Sequence, residues 1–328
     1  MSRTVDSLLD FKDSDQCRRF LAGALTPEGI DSQKVFDTAV FCASEAGKVI
    51  LKALKLREQP EQRNHASKIS DADLVTETDV SVETLIRAII VERFPSHLFI
   101  GEEGVSGVVD GRERNGKFVW IVDPIDGTTN FVHSFPVVAV SIGFAYGDET
   151  LMGVVYNPMS QEAWFGWRNC GSYFIRPSGE VSGMKTSGCT SLGSALISTG
   201  FAVPLFRRIT SHKQAQEKLL SIVESNTRVL MSKSRDIRRI GSAACDLCFV
   251  AMGRTDAFFE FGIKEWDVAA ALLILEEAGG DVSTVGGLQP CSIRGRNIMG
   301  CSTAELRKEM ASVLIDTDVV RIIEEIEQ

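Results

Sequence analysis

Trp120-Ile-Val-Asp-Pro-Ile-Asp-Gly-Thr-Thr-Asn-Phe-Val-His133 is the stretch whose reading decides the fold of this 328-residue chain. An apolar strand runs straight into Asp123. Pro124 fixes the turn, Asp126 follows three residues after Asp123, and Gly127-Thr128-Thr129 supplies free backbone N–H groups. Two carboxylates at a strand end, beside an amide-rich turn, can hold a cation on one side and an anion on the other. A phosphate with its Mg²⁺ has that pairing of charges. The competing reading is a plain polar turn, since Asp-Pro and Asp-Gly are common turn dipeptides. This stretch alone leaves the two nearly even.

Outward from it, the apolar pattern changes period. Upstream, Val35, Ala39, Cys42, Ala43, Ala46, Val49, Ile50 and Ala53 recur at helical spacing and predict a helix over Val35–Leu54. A second helix follows Asp79, with Val82, Leu85, Ile86, Ile89 and Ile90 on one face and Pro95 as its stop. Arg57 to Asp71 is charged, lacks apolar periodicity and reads as an exposed loop. Downstream come short β-rich runs: Leu98–Gly101, Val119–Asp123, Val137–Tyr146, Leu151–Tyr156 and Ala163–Trp167. Residues 205–240 are basic and resist assignment. Ser242–Met252 reads as a helix and Asp256–Phe261 as a strand. Trp266–Ala278 reads as a helix stopped by Gly279-Gly280, Asp281–Thr284 as a strand, and a closing helix starts at Thr303. This irregular alternation predicts a layered α/β or α+β fold rather than a regular doubly wound sheet.

Three more acidic positions lie at element boundaries. Glu102-Glu103 follows the apolar run Leu98–Gly101, Asp79 precedes a helix, and Asp267 opens another. Each has a bland reading: a solvated pair, an N-cap, a first-turn acid on the helix dipole. Taken with Asp123 and Asp126, they are better explained together as a divalent-metal site of oxygen ligands, for which Mg²⁺ is the natural occupant.

At these residues the sequence resembles the inositol monophosphatase family. The resemblance is carried by Leu74-Val-Thr-Glu-Thr-Asp79, Phe99-Ile-Gly-Glu-Glu103, the Trp120–His133 stretch, and Trp266-Asp267 with Glu277-Ala-Gly-Gly280, all in the family order. Asp-Pro-Ile-Asp-Gly-Thr is specific for the wider lithium-sensitive phosphatase superfamily. Thr129-Asn-Phe-Val-His133 and Phe135-Pro-Val-Val-Ala-Val-Ser-Ile-Gly143 narrow the match to inositol monophosphatases. It extends roughly from Val35 to Ala304, with little family pattern over 176–235. The resemblance implies a layered αβαβα sandwich, as in the inositol monophosphatase and fructose-1,6-bisphosphatase fold. Residues 1–34 would then be an N-terminal arm, and 35–328 a catalytic domain of two closely joined lobes meeting near 175–195.

The same resemblance implies roles. Glu102, Asp123 and the Ile125 carbonyl match the ligands of a first Mg²⁺. Asp123, Asp126 and Asp267 match those of a second, and Glu102 would loosely hold a third. Thr128, paired with Asp79, orients the attacking water, and the Gly127 and Thr128 amides hold the phosphate. Glu260 binds inositol hydroxyls and Ala243 touches the ring, with Asp126 and Asp267 also among the substrate contacts. Lys68 falls where the family has a lysine near the metals. The implied activity is Mg²⁺-dependent hydrolysis of myo-inositol monophosphates by a water that attacks phosphorus in line, in a homodimer inhibited by Li⁺. The nearest alternative is a sister phosphatase for fructose bisphosphate, adenosine 3′,5′-bisphosphate, NADP or histidinol phosphate. A catalytically silent homologue is a weaker one, because all the acids and Thr128 are intact.

Composition sets outer bounds. Apolar residues make up 44% and charged residues 24%, which excludes a disordered chain. A net charge of −9 argues against a nucleic-acid surface. No apolar run approaches the ~20 residues of a membrane helix, and the N-terminus lacks the features of a signal or transit peptide. The expected compartment is the cytoplasm, and the expected partner a small phosphate monoester rather than nucleic acid or membrane. Cys245-x-x-Cys248 has no companion pair or histidine to complete a zinc site and reads as two buried free thiols, a redox dithiol being a poor second.

Overall fold

The computed structural model describes residues 9–12, 14–24, 27, 29–58, 71–104, 111–209, 212–287, 291–316, 319, 321 and 322. Helices α1 (Asp15–Leu21), α2 (Ser32–Glu58) and α3 (Asp71–Arg93) precede a seven-stranded sheet. Its strands are β1 (Leu98–Gly101), β2 (Phe118–Asp126), β3 (Ala139–Tyr146), β4 (Glu149–Asn157), β5 (Glu162–Trp167), β6 (Gly171–Ile175) and β7 (Val181–Gly183), with α4 (Thr128–Val132) between β2 and β3. They lie side by side in chain order. β1 and β2 run parallel, and every later pair is antiparallel. A second sheet of five strands comprises β8 (Leu196–Thr199), β9 (Asp236–Arg238), β10 (Ala257–Phe261), β11 (Asp281–Ser283) and β12 (Asn297–Cys301), ordered β11-β12-β10-β8-β9. The remaining helices are α5 (Val203–Arg208), α6 (Lys213–Lys233), α7 (Ala243–Ala251), α8 (Glu265–Glu277) and α9 (Ala304–Val313).

These elements stack as αβαβα. α2 and α3 cover one face of the first sheet, α7 and α8 fill the space between the sheets, and α5, α6 and α9 close the far side of the second. Each helix has the residue pattern its layer demands. α2 buries a stripe at helical spacing (Val35, Ala39, Cys42, Ala46, Ile50). α8 is apolar all round, with Val268 to Leu275 buried, because protein lies on every side of it. Its closeness to the first sheet is set by a row of glycines, Gly143, Gly153 and Gly166, paired across β3, β4 and β5. A Cβ at Gly153 would come within 2.4 Å of the Ala270 carbonyl oxygen. The row is a groove that seats the helix backbone, and it thereby fixes where the N-terminus of α8 emerges.

All five strands expected in the first half are present, as are the helices around 35–54, 242–252 and 266–278 and the strands around 256–261 and 281–284. Several expectations need correction. α3 begins eight residues before Asp79, so Asp79 is no N-cap and sits within the helix. The buried positions here, Thr78, Asp79 and Glu83, are polar, and this hid the helical period. The polar, weakly periodic stretch 1–34 reads as a short preceding helix or a loose arm; its described residues include the short helix α1, and Phe11, Cys17, Phe20 and Leu21 are buried in the core over α2 and β5. The Phe20 ring lies 5.1–5.6 Å from those of Phe36, Phe165 and Tyr173. The basic stretch 205–240 contains the 21-residue helix α6. One of its buried positions is Asn226, whose amide bonds the Ile315 backbone at 2.8 and 2.7 Å. β6, β7, β8, β9 and β12 went unread because they are short or rich in Gly and Ser. The expected loop after Arg57, including Lys68, lies largely outside the described residues. Cys245 and Cys248 are buried free thiols. Among the described residues no helix is long and apolar enough to cross a membrane.

Candidate active site

A bulge makes neighbours of the two aspartates of β2. On a regular strand, residues three apart face opposite sides of the sheet. Here Asp123 pairs with Ser141 and Asp126 with Ala139, so four residues oppose three, and the extra residue turns both carboxylates to one side. Asp123 Oδ1 accepts the Ile125 N–H at 3.0 Å within the bulge. Ile125 itself is buried in the core, leaving only its backbone to the site. Gly127, at φ +91°, ends the strand and opens α4. A Cβ there would press on the Val137 and Gly241 carbonyls at 3.0 and 3.2 Å, so the tight turn requires glycine.

α8 delivers the third acid. Asp267 stands in its first turn, where Oδ2 accepts the Lys264 N–H at 2.6 Å. The first-turn reading is therefore correct, and the residue does more besides. Asp123, Asp126 and Asp267 each bring a carboxylate oxygen within 4.8 Å of the other two. Burial pushes the Asp123 carboxyl well above its usual range, and Glu102, Asp126 and Asp267 push it further. Asp126 rises to about 7, from burial and then Asp267. Asp267 also rises through burial. Glu102, on the turn after β1, is exposed yet interacts with the cluster. Desolvation and then Asp267, Glu103 and Asp126 lift it to about 8. A cluster of oxygen donors that mutually resist ionisation lacks positive charge. It fits a hard divalent cation such as Mg²⁺.

Asp79 faces the same region from α3, which packs against α4. Its Oδ1 is buried without a hydrogen-bond partner among the described residues. Burial, then Glu102, Glu103 and Glu83, raise its carboxyl to about 8. Ser242 went unnoticed in the sequence. Its Oγ caps α7 by accepting the Cys245 N–H at 3.3 Å and donates to Asp126 Oδ2 at 2.6 Å, while the Ala244 N–H reaches the same oxygen at 2.8 Å. The sequence signal was there: Gly-Ser just before an apolar helix is an N-cap pattern. Ala243 begins α7 beside them and is buried. Glu260 lies on β10 facing the inter-sheet layer. Phe258, on its side of the strand, joins that core, and Phe259 and Phe261 join the outer one. The Glu260 carboxyl rests against Gly200, where a Cβ would collide with it. Burial raises it to about 8, opposed by Arg239 and assisted by Asp267, Asp246 and Asp126. On sequence alone it could have been an exposed strand residue; the structure half-buries it between the layers.

One further pair frames the site. Arg114, only 3% exposed, grips Glu265 through both nitrogens, at 2.6 and 2.7 Å, two residues before Asp267.

Residues 31–316 match the inositol monophosphatase family. The chain is 38% identical to human inositol monophosphatase 2 over 283 residues, 86% of this chain and 91% of that protein. It is 37% identical to pig inositol monophosphatase 1, covering 85% and 93%. Among solved structures, Staphylococcus aureus inositol monophosphatase-II superposes with a TM-score of 0.70 at 28% identity, covering 89% and 100%. The Anabaena inositol monophosphatase gives 0.68 at 31%, covering 86% and 95%. The matched span runs continuously through 176–235, where the motifs fade. With that coverage, the αβαβα layers and the acidic cluster in hand, the chain belongs to the inositol monophosphatase family.

Proposed function

We propose that this protein is a Mg²⁺-dependent phosphatase that hydrolyses inositol monophosphates to inositol and inorganic phosphate. The observation that carries the reading is the convergence of Asp123, Asp126 and Asp267 within 4.8 Å, beside the Gly127 turn. Bound divalent cations supply Lewis acidity at the phosphoryl oxygens and a water of lowered pKa. This chain's residues do the rest. Glu102, Asp123 and the Ile125 carbonyl would hold one cation. Asp123, Asp126 and Asp267 would hold a second, and Glu102 would loosely hold a third. The Gly127 and Thr128 amides receive the phosphate. Thr128 accepts a hydrogen bond from the attacking water or donates one to Asp79, whose buried Oδ1 has an open acceptor position. Asp126, held by Ser242 and Ala244, borders the leaving group with Ala243, and Glu260 accepts hydrogen bonds from its ring hydroxyls.

The test is phosphate release from a panel of inositol, sugar and nucleotide monophosphates, with and without Mg²⁺. Preference for inositol monophosphate is expected. Turnover of another phosphate class alone would assign a sister activity, and none with Mg²⁺ would leave a silent homologue. Some breadth is also proposed, because the Staphylococcus aureus relative has been captured with inositol monophosphate and with 2′AMP. Lithium inhibition, assembly as a homodimer and residence in the cytoplasm belong to the same reading. Li⁺ titration, sedimentation and localisation of a tagged chain check them.

A further inference from the structure

Glu83 is a carboxylate with no place in the scheme above, although it is fully buried beside it. It lies on α3, one helical turn beyond Asp79. Its Oε2 accepts the Glu103 N–H at 2.8 Å. Its carboxyl also fills the space behind Gly101, where a Cβ would stand 2.3 Å from Oε2 and 2.4 Å from Cδ. The strand end Gly101-Glu102-Glu103 is thus seated on the Glu83 carboxyl from below, with a backbone hydrogen bond on one side of Glu102 and a side-chain-free residue on the other. Burying one more acid next to Asp79, Glu102 and Glu103 is electrostatically costly. An apolar side chain would fill the volume without that cost but would leave the Glu103 N–H unpaired.

We infer that Glu83 is a positioning residue, which sets the direction of the Glu102 carboxylate by docking the turn that carries it. The inference rests on the proposed metal site, and it makes Glu83 an acceptor rather than a ligand. Three variants separate these roles. Glu83→Ala removes the acceptor. Glu83→Gln keeps an acceptor oxygen without the charge. Gly101→Ala leaves Glu83 in place but displaces its carboxyl from the turn.

The readouts are Mg²⁺ binding by calorimetry and the rise in Tm on adding Mg²⁺, together with the Mg²⁺ dependence of phosphate release. Glu83→Ala and Gly101→Ala are expected to weaken Mg²⁺ binding about tenfold, on the scale of a lost outer support for a metal ligand, and Glu83→Gln to stay within about threefold. Equal loss in the Gln and Ala variants, or Mg²⁺ binding in Gly101→Ala unchanged from the parent, overturns the inference. If Glu83→Ala does not fold, Gly101→Ala and Glu83→Gln carry the same decision. Failure of the parent protein itself to bind Mg²⁺ would instead remove the metal reading beneath it.

Discussion

The first turn of α8 holds two half-buried carboxylates, two residues apart, built on opposite terms. Glu265 is paired within the chain: Arg114 meets it with both nitrogens, and the same guanidinium makes a longer contact, at 3.4 Å, to Asp148. Asp267 meets other acids, Asp123 and Asp126. The first arrangement completes its charge balance inside the chain, and the second leaves it open. The difference locates the function, since excess negative charge held rigidly next to a satisfied pair invites an external cation. It also predicts that the two sites respond oppositely to losing a carboxylate.

The largest expected effect follows from the open cluster. Asp123→Asn should lower turnover at least ~10³-fold, because charge is withdrawn from the centre of the cation site. The same change should raise the Tm of the metal-free protein, since a mutually repelling acid is gone. Near-normal phosphate release from the folded variant would break the comparison.

Glu265→Ala is the opposite case. It leaves Arg114, which is 3% exposed, with only the longer Asp148 contact at 3.4 Å, and should cost up to about 3–5 kcal/mol of stability, read from chemical denaturation. A loss below ~1 kcal/mol would mean that the pair is solvated in practice.

Thr128→Ala should reduce kcat by about 10²-fold or more with little change in KM, since the amides that receive phosphate remain. A rise in KM alone would make Thr128 a binding residue. Glu260→Ala should lower kcat/KM for inositol monophosphate about ten- to a hundredfold and leave a small aryl phosphate unaffected. Equal losses on both substrates would reassign Glu260 to the metal cluster or to folding.

The smallest effect is on pH dependence. In the metal-free chain Asp79 and Glu102 reach about 8 and Asp126 about 7, against ordinary values of 3.8–4.5. The folded state therefore retains protons that the unfolded state has released. That contribution to stability is complete below the unfolded values and is lost as pH rises through the folded ones. In EDTA, Tm should fall by a few degrees, roughly 2–4 °C per kcal/mol lost, between pH 5 and 8, and Mg²⁺ should restore it. A flat profile in EDTA would show that the cluster is already solvated.

What the sequence disclosed follows the same division. Asp123, Asp126, Glu102 and Asp267 were legible because each follows an apolar run or opens an apolar helix, so the change of texture marks them. Asp79 was legible as a residue but not in its setting, because α3 buries the polar Thr78, Asp79 and Glu83 ahead of and beside its apolar face of Val82, Ile86 and Ile90. Glu83 resembled any solvated helix acid. Only the close approach of Gly101, a property of tertiary packing, distinguishes it. The bulge at Pro124–Ile125 was equally hidden, since register belongs to a pair of strands and is not written in either one.

The N-terminal helix α1 has a practical corollary. The family match starts at residue 31, and an expression boundary drawn there would discard Phe11 and Phe20. Phe36, Phe165 and Tyr173 would lose their aromatic cover. The fold would keep every proposed catalytic group and gain an adhesive apolar patch far along the first sheet from the cluster. Such a protein would be lost to precipitation rather than to inactivity, and a soluble-yield screen would report a failure that no kinetic assay could diagnose.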